Sequence, residues 1–209
     1  MFETATATLD WIGVIVFTVT GALAASRKEM DFVGFAVLGT ATGIGGGTLR
    51  DLLLGLPVFW TVQPAYLLTC LTVAGLVFFT AHIPQSRYRY LLWLDALGLA
   101  LFAVAGTEKA LEAGASPVVA IVMGVVTATF GGVIRDLLGG ESPVILSREI
   151  YASAAGAGAA VFAGLTLLDA PRECALGTGF AIALLVRAAS LHFGLTLPRY
   201  RPRAGLPYH

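Results

Sequence analysis

The sequence contains few charged residues. Of its 209 residues only 12% are charged, whereas 57% are apolar and the mean hydropathy is +0.83. A soluble globular chain carries about 25% charged residues, so this chain lacks the side chains that a fully water-facing surface needs. The composition therefore predicts an integral membrane protein.

Other features that the sequence lacks exclude several classes of function. Its basic residues form no run longer than Arg27-Lys28, so we expect no nucleic-acid partner. The two cysteines, Cys70 and Cys174, offer neither a disulfide framework nor metal-ligand spacing. We find no Walker loop, no Ser-His-Asp set at one depth and no paired carboxylates. The sequence therefore predicts neither an enzyme nor a cofactor-binding protein.

Long apolar runs account for most of the chain. A helix needs about 20 mostly apolar residues to cross about 30 Å of hydrocarbon. On this measure we predict seven spans, at about 9–26, 32–55, 64–83, 91–111, 116–138, 148–168 and 174–191. The connectors are short, so we expect one all-α membrane domain over residues 1–209, ending in a short basic C-terminal tail.

The distribution of basic residues predicts the orientation, because Lys and Arg are enriched on cytoplasmic loops. With the N-terminus outside, the cytoplasmic side holds Arg27, Lys28, Arg87, Arg89, Arg135, Arg148, Arg199, Arg201 and Arg203. The opposite side then holds only Arg50, Lys109 and Arg172. We therefore expect the N-terminus outside and the C-terminus in the cytoplasm.

An internal repeat appears when the chain is aligned with itself at a shift of 85 residues. Residues 9–55 then match residues 94–140 at 18 of 47 positions, where about five matches are expected by chance. A biased composition explains neither the constant register nor the shared Arg-Asp pair. Three spans separate equivalent residues, so the second copy should be inverted in the membrane. We predict repeats at about 9–83 and 91–168, followed by an extra helix at 174–191.

Glycines cluster near the middle of the second and fifth spans. They are Gly43, Gly45, Gly46 and Gly47 in one copy, and Gly131 and Gly132 in the other. Inverted repeats commonly place their functional site at broken helices near the midplane, and an interior glycine costs a helix about 1 kcal/mol. We therefore predict that both helices are interrupted within a residue or two of Gly46 and Gly131, which frees carbonyl groups for a cation. The alternative is close helix packing through small residues.

Four charged residues follow these glycines: Arg50, Asp51, Arg135 and Asp136. Ionisable groups at such depth usually face a bundle interior or an aqueous cavity; the alternative is that the helices end at the glycines and the charges are interfacial. Successive residues do not face each other on a helix, so Arg50 is not expected to satisfy Asp51. Depth and symmetry instead predict the pairs Asp10 with Arg50 and Asp95 with Arg135.

Two further groups are interpreted as interfacial. Glu108 and Lys109 lie near the end of the fourth span and are typical of snorkelling side chains. Aromatic residues that include Trp11 and Tyr66 lie near predicted span ends, where such rings usually form an anchoring belt.

The segment Gly43-Ile44-Gly45-Gly46-Gly47-Thr48-Leu49-Arg50-Asp51 and its echo at residues 130–136 carry a family resemblance. With seven spans and an inverted 3+3 repeat, the sequence resembles a prokaryotic member of the TRIC family, the trimeric intracellular cation channels. The resemblance implies a homotrimer with a separate pore in each subunit, lined by the second and fifth helices, kinked at the glycines and flanked by Arg50, Asp51, Arg135 and Asp136.

The resemblance also implies potassium as the permeant ion, no cofactor, no metal beyond that transient ion, and a lipid-embedded location in a prokaryotic plasma (inner) membrane. Bacterial relatives are sometimes described as carriers of glycine or other small amino acids. Two functions therefore stay open, a cation channel and a small amino acid carrier. In a carrier, Arg50 and Arg135 would hold the substrate carboxylate; in a channel they would need neutralising partners.

Overall fold

A computed structural model describes the backbone of residues 2–82, 87–147 and 149–198, and the side chains within 8–82, 88–147 and 149–198. The predicted orientation depends partly on residues outside these ranges. They are the side chain of Arg87 and the whole of Arg148, Arg199, Arg201 and Arg203. The described part of the chain is helical. Its only residues paired as in a β-sheet are Glu149 and Thr196, which form an isolated bridge.

The helices follow the predicted spans closely. They are α1 Phe2–Arg27, α2 Phe32–Leu53, α3 Phe59–Val62, α4 Ala65–Thr80, α5 Arg87–Glu112, α6 Pro117–Leu138, α7 Ala152–Leu167 and α8 Arg172–Phe193, with a short 3-10 helix at Val144–Leu146. Within the described residues, α1, α2, α5, α6 and α8 are long and apolar enough to cross a membrane. The all-α membrane fold is therefore confirmed.

Helices α4 and α7 are shorter than the spans that the sequence predicts. Each has 16 residues and is apolar, so each extends about 24 Å, less than the 30 Å of a full hydrocarbon core. The number of seven membrane crossings stays a prediction.

Local sequence signals set several helix ends. Asp31 precedes α2, and its side chain accepts a hydrogen bond from the backbone N–H of Gly34 at 2.8 Å. Pro117 begins α6, where its missing N–H costs nothing. Helix α8 ends at Gly194, whose φ of 64° is left-handed and suits glycine. These signals fix where the apolar segments turn back on each other.

Helices α1, α2, α5 and α6 form the centre of the bundle. Helix α1 packs on α5 and α2 packs on α6, while α4 lies against α1 and α2, and α7 lies against α5 and α6. Helix α8 packs on α5 and α7, outside this arrangement. Large apolar side chains such as Leu68, Val118 and Leu185 point outwards, with more than 60% of their surface exposed, as expected for residues that face lipid.

The expected interruption of the second and fifth spans is wrong. Helices α2 and α6 are continuous, and the glycines at positions 46 and 131 lie well inside them. The glycines serve the alternative purpose, close helix packing. A Cβ atom on Gly131 would lie 2.6 Å from the backbone oxygen of Thr42, and one on Gly46 would come closer still to the oxygen of Thr127. The two backbones therefore touch where a side chain would hold them apart.

These contacts pair equivalent positions of the predicted repeat. Gly46 meets Thr127 just as Gly131 meets Thr42, so α2 and α6 cross antiparallel. Between α1 and α5, Gly13 lies against the Phe102 ring and Gly98 against the Phe17 ring. The two rings stack at 5.4 Å between centroids. Such reciprocal contacts support the inverted repeat, which stays a prediction.

Candidate functional site

The first group of buried charges surrounds Arg50 in the last turn of α2. Its Nη1 lies 3.6 Å from Oδ1 of Asp10 on α1, and its Nε donates to Oδ1 of Asp51 at 2.9 Å. The other oxygen of Asp51 accepts the backbone N–H of Phe59 at 2.9 Å, which fixes the chain as it returns towards α4. Lys109 of α5 places Nζ 3.2 Å from Oδ1 of Asp51. We name Asp10, Arg50, Asp51 and Lys109 the Asp10 cluster.

The second group surrounds Arg135 in the last turn of α6 and repeats this plan. Its Nη1 donates to Oδ1 of Asp95 at 2.6 Å, and its Nε donates to Oδ1 of Asp136 at 2.9 Å. The other oxygen of Asp136 accepts the backbone N–H of Val144 at 3.0 Å. All three charged side chains are at least nine-tenths buried. We name Asp95, Arg135 and Asp136 the Asp95 cluster.

The predicted partners are found, with two corrections. The hydrogen bond between Asp95 and Arg135 is confirmed, whereas Asp10 and Arg50 form an ion pair that is longer than a hydrogen bond. The expectation that an arginine does not reach the next residue is wrong in both copies. Adjacent Cβ atoms do diverge on a helix, but the long arginine stem folds back far enough to place Nε beside the neighbouring carboxylate.

The two clusters lie at different depths. Arg50 lies four residues beyond Gly46, and Arg135 lies four residues beyond Gly131, on helices that run in opposite directions. Because Gly131 is level with Thr42, about twelve residues of helix separate the two arginines, which corresponds to about 18 Å. This separation explains why each arginine pairs only with the aspartates of its own cluster.

A tyrosine lies beside each cluster, and neither position was predicted from the sequence. Tyr66 is 4% exposed and stacks on Trp11 at 3.9 Å between centroids, so assigning Tyr66 to an interfacial belt was wrong. Tyr151 is 1% exposed, and a Cβ atom on Gly132 would lie 2.7 Å from its hydroxyl oxygen. The two tyrosines are 85 residues apart, so the repeat register already contained the signal.

The helix outside the repeat adds a further buried charge. Arg187 of α8 is fully buried, and its Nη1 lies 2.7 Å from Oε2 of Glu149. Its guanidinium lies over the ring of Tyr151, 5.0 Å from the centroid. Arg187 therefore connects α8 to the tyrosine beside the Asp95 cluster. The sequence signal for this site was an arginine inside an apolar span. Arg187 lies outside the predicted repeat, so it has no counterpart there.

The predicted glycine positions all lie in tight contacts. Gly43 faces Thr18, Gly45 faces Ile134, and Gly47 faces Phe59. Gly132 faces Tyr151, and Gly46 and Gly131 form the crossing already described. Their role in a pore stays a prediction, whereas their role in packing is observed.

Neither cluster carries an excess of positive charge. Each arginine is held by two aspartates, so each Asp-Arg-Asp set carries a formal charge of −1, and Lys109 brings the Asp10 cluster to zero. The C-terminal ends of α2 and α6, which present partial negative charge, lie just beyond the arginines. Across the described residues, no three His, Cys, Asp or Glu side chains are grouped to hold a metal ion.

Comparison with known proteins identifies the family. The profile of the family described as "Glycine transporter" matches residues 7–82 and 92–166. The chain is 40% identical to the inner membrane protein YadS of Escherichia coli over 195 residues, which covers 92% of this chain and 94% of that protein. It is 35% identical to the membrane protein YvgT of Bacillus subtilis, covering 91% and 94%.

Comparison with solved structures also identifies a family. The TRIC trimeric intracellular cation channel orthologue from Rhodobacter sphaeroides is 67% identical, with a TM-score of 0.90, and the match covers 92% of this chain and all of that chain. A prokaryotic TRIC channel crystallised in 0.5 M KCl is 31% identical, with a TM-score of 0.86, covering 94% and 100%. These neighbours are channels and not enzymes, which agrees with the prediction that this chain is not an enzyme. The chain therefore belongs to the TRIC family, in its prokaryotic branch.

Proposed function

We propose that this protein is a potassium-permeable cation channel. Its path runs inside one subunit, beside α2 and α6, from the Asp10 cluster to the Asp95 cluster. The observation that carries the proposal is that Arg50 and Arg135 are each held by two aspartates. A bare guanidinium would repel a cation, but these two are neutralised where they lie.

Polar oxygen atoms between the clusters support the same proposal. The hydroxyls of Thr42 and Thr127 are buried near the helix crossing, and each donates to a carbonyl one turn earlier at 2.6 Å. A hydroxyl that donates its proton keeps lone pairs on its oxygen. Oxygen ligands of this kind can replace part of the hydration shell of a cation.

The relatives suggest the assembly and location. The Rhodobacter sphaeroides protein is described as a trimeric channel, and the Escherichia coli protein as an inner membrane protein. We infer a homotrimer in a bacterial inner membrane, with a separate path in each subunit, the N-terminus outside and the C-terminus in the cytoplasm. The orientation rests on the basic residues of the connectors.

The alternative is a carrier of glycine or another small amino acid. Such a carrier needs an available cation to hold the substrate carboxylate, and Arg50 and Arg135 were the candidates. Both already hold two carboxylates from the chain itself. The charge balance of the clusters therefore favours the channel.

Planar bilayer recording of the purified protein tests the proposal. We expect discrete unitary currents in KCl without any amino acid, with a reversal potential that follows the potassium gradient and not the chloride gradient. Silent bilayers, together with saturable glycine uptake and counterflow in proteoliposomes, would overturn the channel in favour of the carrier.

A pair of threonine variants tests the path itself. Thr127→Val keeps the shape of the side chain and removes its oxygen, so the unitary conductance should fall. Thr166→Val on α7 is the control, because the Thr166 hydroxyl also donates to a carbonyl one turn earlier, at 2.9 Å, but lies on the flank of the bundle. Equal conductance in both variants would contradict the proposed path.

A further inference from the structure

A small cavity lies at the end of the bundle where α1 ends and α5 begins. It measures about 80 Å³, and its walls include Ala24, Leu91, Arg135 and Asp136. The last two residues belong to the Asp95 cluster. A space of this size can hold water molecules, so the cavity is a place where a hydrated ion path could reach the cluster from this end.

Three charged residues also line this cavity, and they form ion pairs with one another. Oε1 of Glu141, in the loop after α6, lies 3.2 Å from Nη2 of Arg27 and 3.1 Å from Nζ of Lys28. The guanidinium of Arg27 also lies over the ring of Tyr88, 4.6 Å from its centroid. These contacts connect the end of α1, the first turn of α5 and the loop after α6. We name Arg27, Lys28 and Glu141 the cap.

We propose that the cap is a gate: it closes the ion path at this end of the subunit, and separation of Glu141 from Arg27 and Lys28 opens it. The proposal rests on the proposed channel function. The closed cap carries a formal charge of +1, which opposes entry of a cation. Its side chains are about one-third exposed, and ion pairs of such exposure are weak, so the cap can open without disturbing the buried core.

The gate belongs to one end only. In the register of the repeat, Arg27 and Lys28 correspond to Glu112 and Ala113, and Glu141 corresponds to Leu56. The charges that build the cap therefore have no equivalents at the Asp10 end, where Lys109 contacts Asp51 directly. The two ends of the path are chemically different even though the helices repeat.

The charges around Glu141 determine the range of pH and salt in which the ion pairs of the cap are formed. Burial alone would raise the pKa of Glu141, but the hydrogen bond from Lys28 and the charges of Arg27 and Lys28 hold it below its usual value. The other charged and titratable groups around the cavity are Tyr88 on α5 and Arg135 and Asp136 on α6. With a lowered pKa, the pairing is intact above the ordinary carboxyl pKa and is lost as the pH falls through the lowered value. High salt should weaken the cap at neutral pH.

Bilayer recording of two complementary variants tests the gate. Glu141→Gln and the double variant Arg27→Gln/Lys28→Gln both separate the cap, so the open probability should rise about threefold to tenfold in each, the factor expected for weak ion pairs. The unitary conductance should change in opposite directions. It should fall in Glu141→Gln, which leaves two cations at the entrance, and rise in the double variant.

Glu29→Gln is the matched control, because Glu29 lies in the turn after Lys28, is exposed and changes the charge by the same amount. Its open probability and unitary conductance should equal those of the protein without substitutions. If both cap variants keep the open probability of the protein without substitutions, the gate is overturned. If the protein without substitutions passes no current at all, the channel function is overturned.

Thiol labelling tests the gate without any current. The exposed Cys174 is first replaced by Ser, and the remaining native cysteine, Cys70, is buried. A cysteine introduced at Ala24, which lines the cavity, then reports how easily a reagent enters it. A membrane-impermeant methanethiosulfonate should modify Ala24→Cys about threefold to tenfold faster in the Glu141→Gln background. Equal rates in the Glu141→Gln and Glu29→Gln backgrounds would overturn the cap as a barrier.

Discussion

Asp10 and Asp95 occupy equivalent positions of the predicted repeat, but they contact their arginines differently. The Asp95–Arg135 pair is hydrogen-bonded at 2.6 Å with both side chains 2% exposed, whereas Asp10 is 3.6 Å from Arg50 and 11% exposed. Loss of one partner from a buried pair leaves an uncompensated charge. The two aspartates should therefore differ in their contribution to stability.

We expect Asp95→Asn to lose about 3 to 5 kcal/mol of stability, the range for a broken buried pair, and Asp10→Asn to lose less. Thermal melting in detergent, followed by size-exclusion chromatography, measures the difference. Asp169→Asn is the control, because Asp169 is exposed and its φ of 55° suits asparagine. A larger loss for Asp10→Asn would contradict the geometry of the clusters.

Much of the residue-scale site was predictable. The pairs Asp10 with Arg50 and Asp95 with Arg135 follow from the repeat and from the depth of each residue along its helix. The bonds from Arg50 to Asp51 and from Arg135 to Asp136 were not predictable, because the conformation of a long side chain depends on what surrounds it. Sequence spacing reports only where the Cβ atoms point.

At the scale of elements, the crossing of α2 and α6 depends on glycine. Gly46 and Gly131 bring two backbones into contact, and a backbone carbonyl cannot move aside as a flexible side chain can. A methyl group at either position must therefore force the helices apart.

We expect Gly46→Ala and Gly131→Ala each to destabilise the protein by about 1 to 3 kcal/mol, the usual cost of overpacking. Gly164→Ala in α7 is the control, since a Cβ atom there meets nothing within 4 Å. It should be neutral or gain up to about 1 kcal/mol of helix stability. Melting temperatures in detergent measure all three, and a tolerated Gly46→Ala would contradict the tight crossing.

The sequence could not decide between a broken helix and a close crossing at these glycines. A glycine both lowers helix propensity and permits close approach, so the same letters predict both outcomes. The presence of Thr127 and Thr42 on the facing helix decides between them. That pairing joins segments about 85 residues apart, which no local pattern reports.

At the scale of the whole molecule, the orientation can be tested with a native residue. Cys174 is exposed at the beginning of α8, and the predicted topology places it on the outer side of the membrane. A membrane-impermeant maleimide should therefore label it in intact cells. Cys174→Ser should abolish the label, because Cys70 is buried. Labelling only after permeabilisation would reverse the orientation.

The sequence by itself determined the membrane class, the positions of the long helices, the register of the internal sequence repeat, and the pairing of Asp10 with Arg50 and of Asp95 with Arg135. Each of these depends on composition, periodicity or spacing, which are properties of the chain alone. The tertiary structure decided that α2 and α6 are continuous, that Tyr66 and Tyr151 are buried beside the clusters, and that Arg187 and the cap distinguish the two ends. These features depend on contacts between distant segments, and such contacts exist only once the helices have packed.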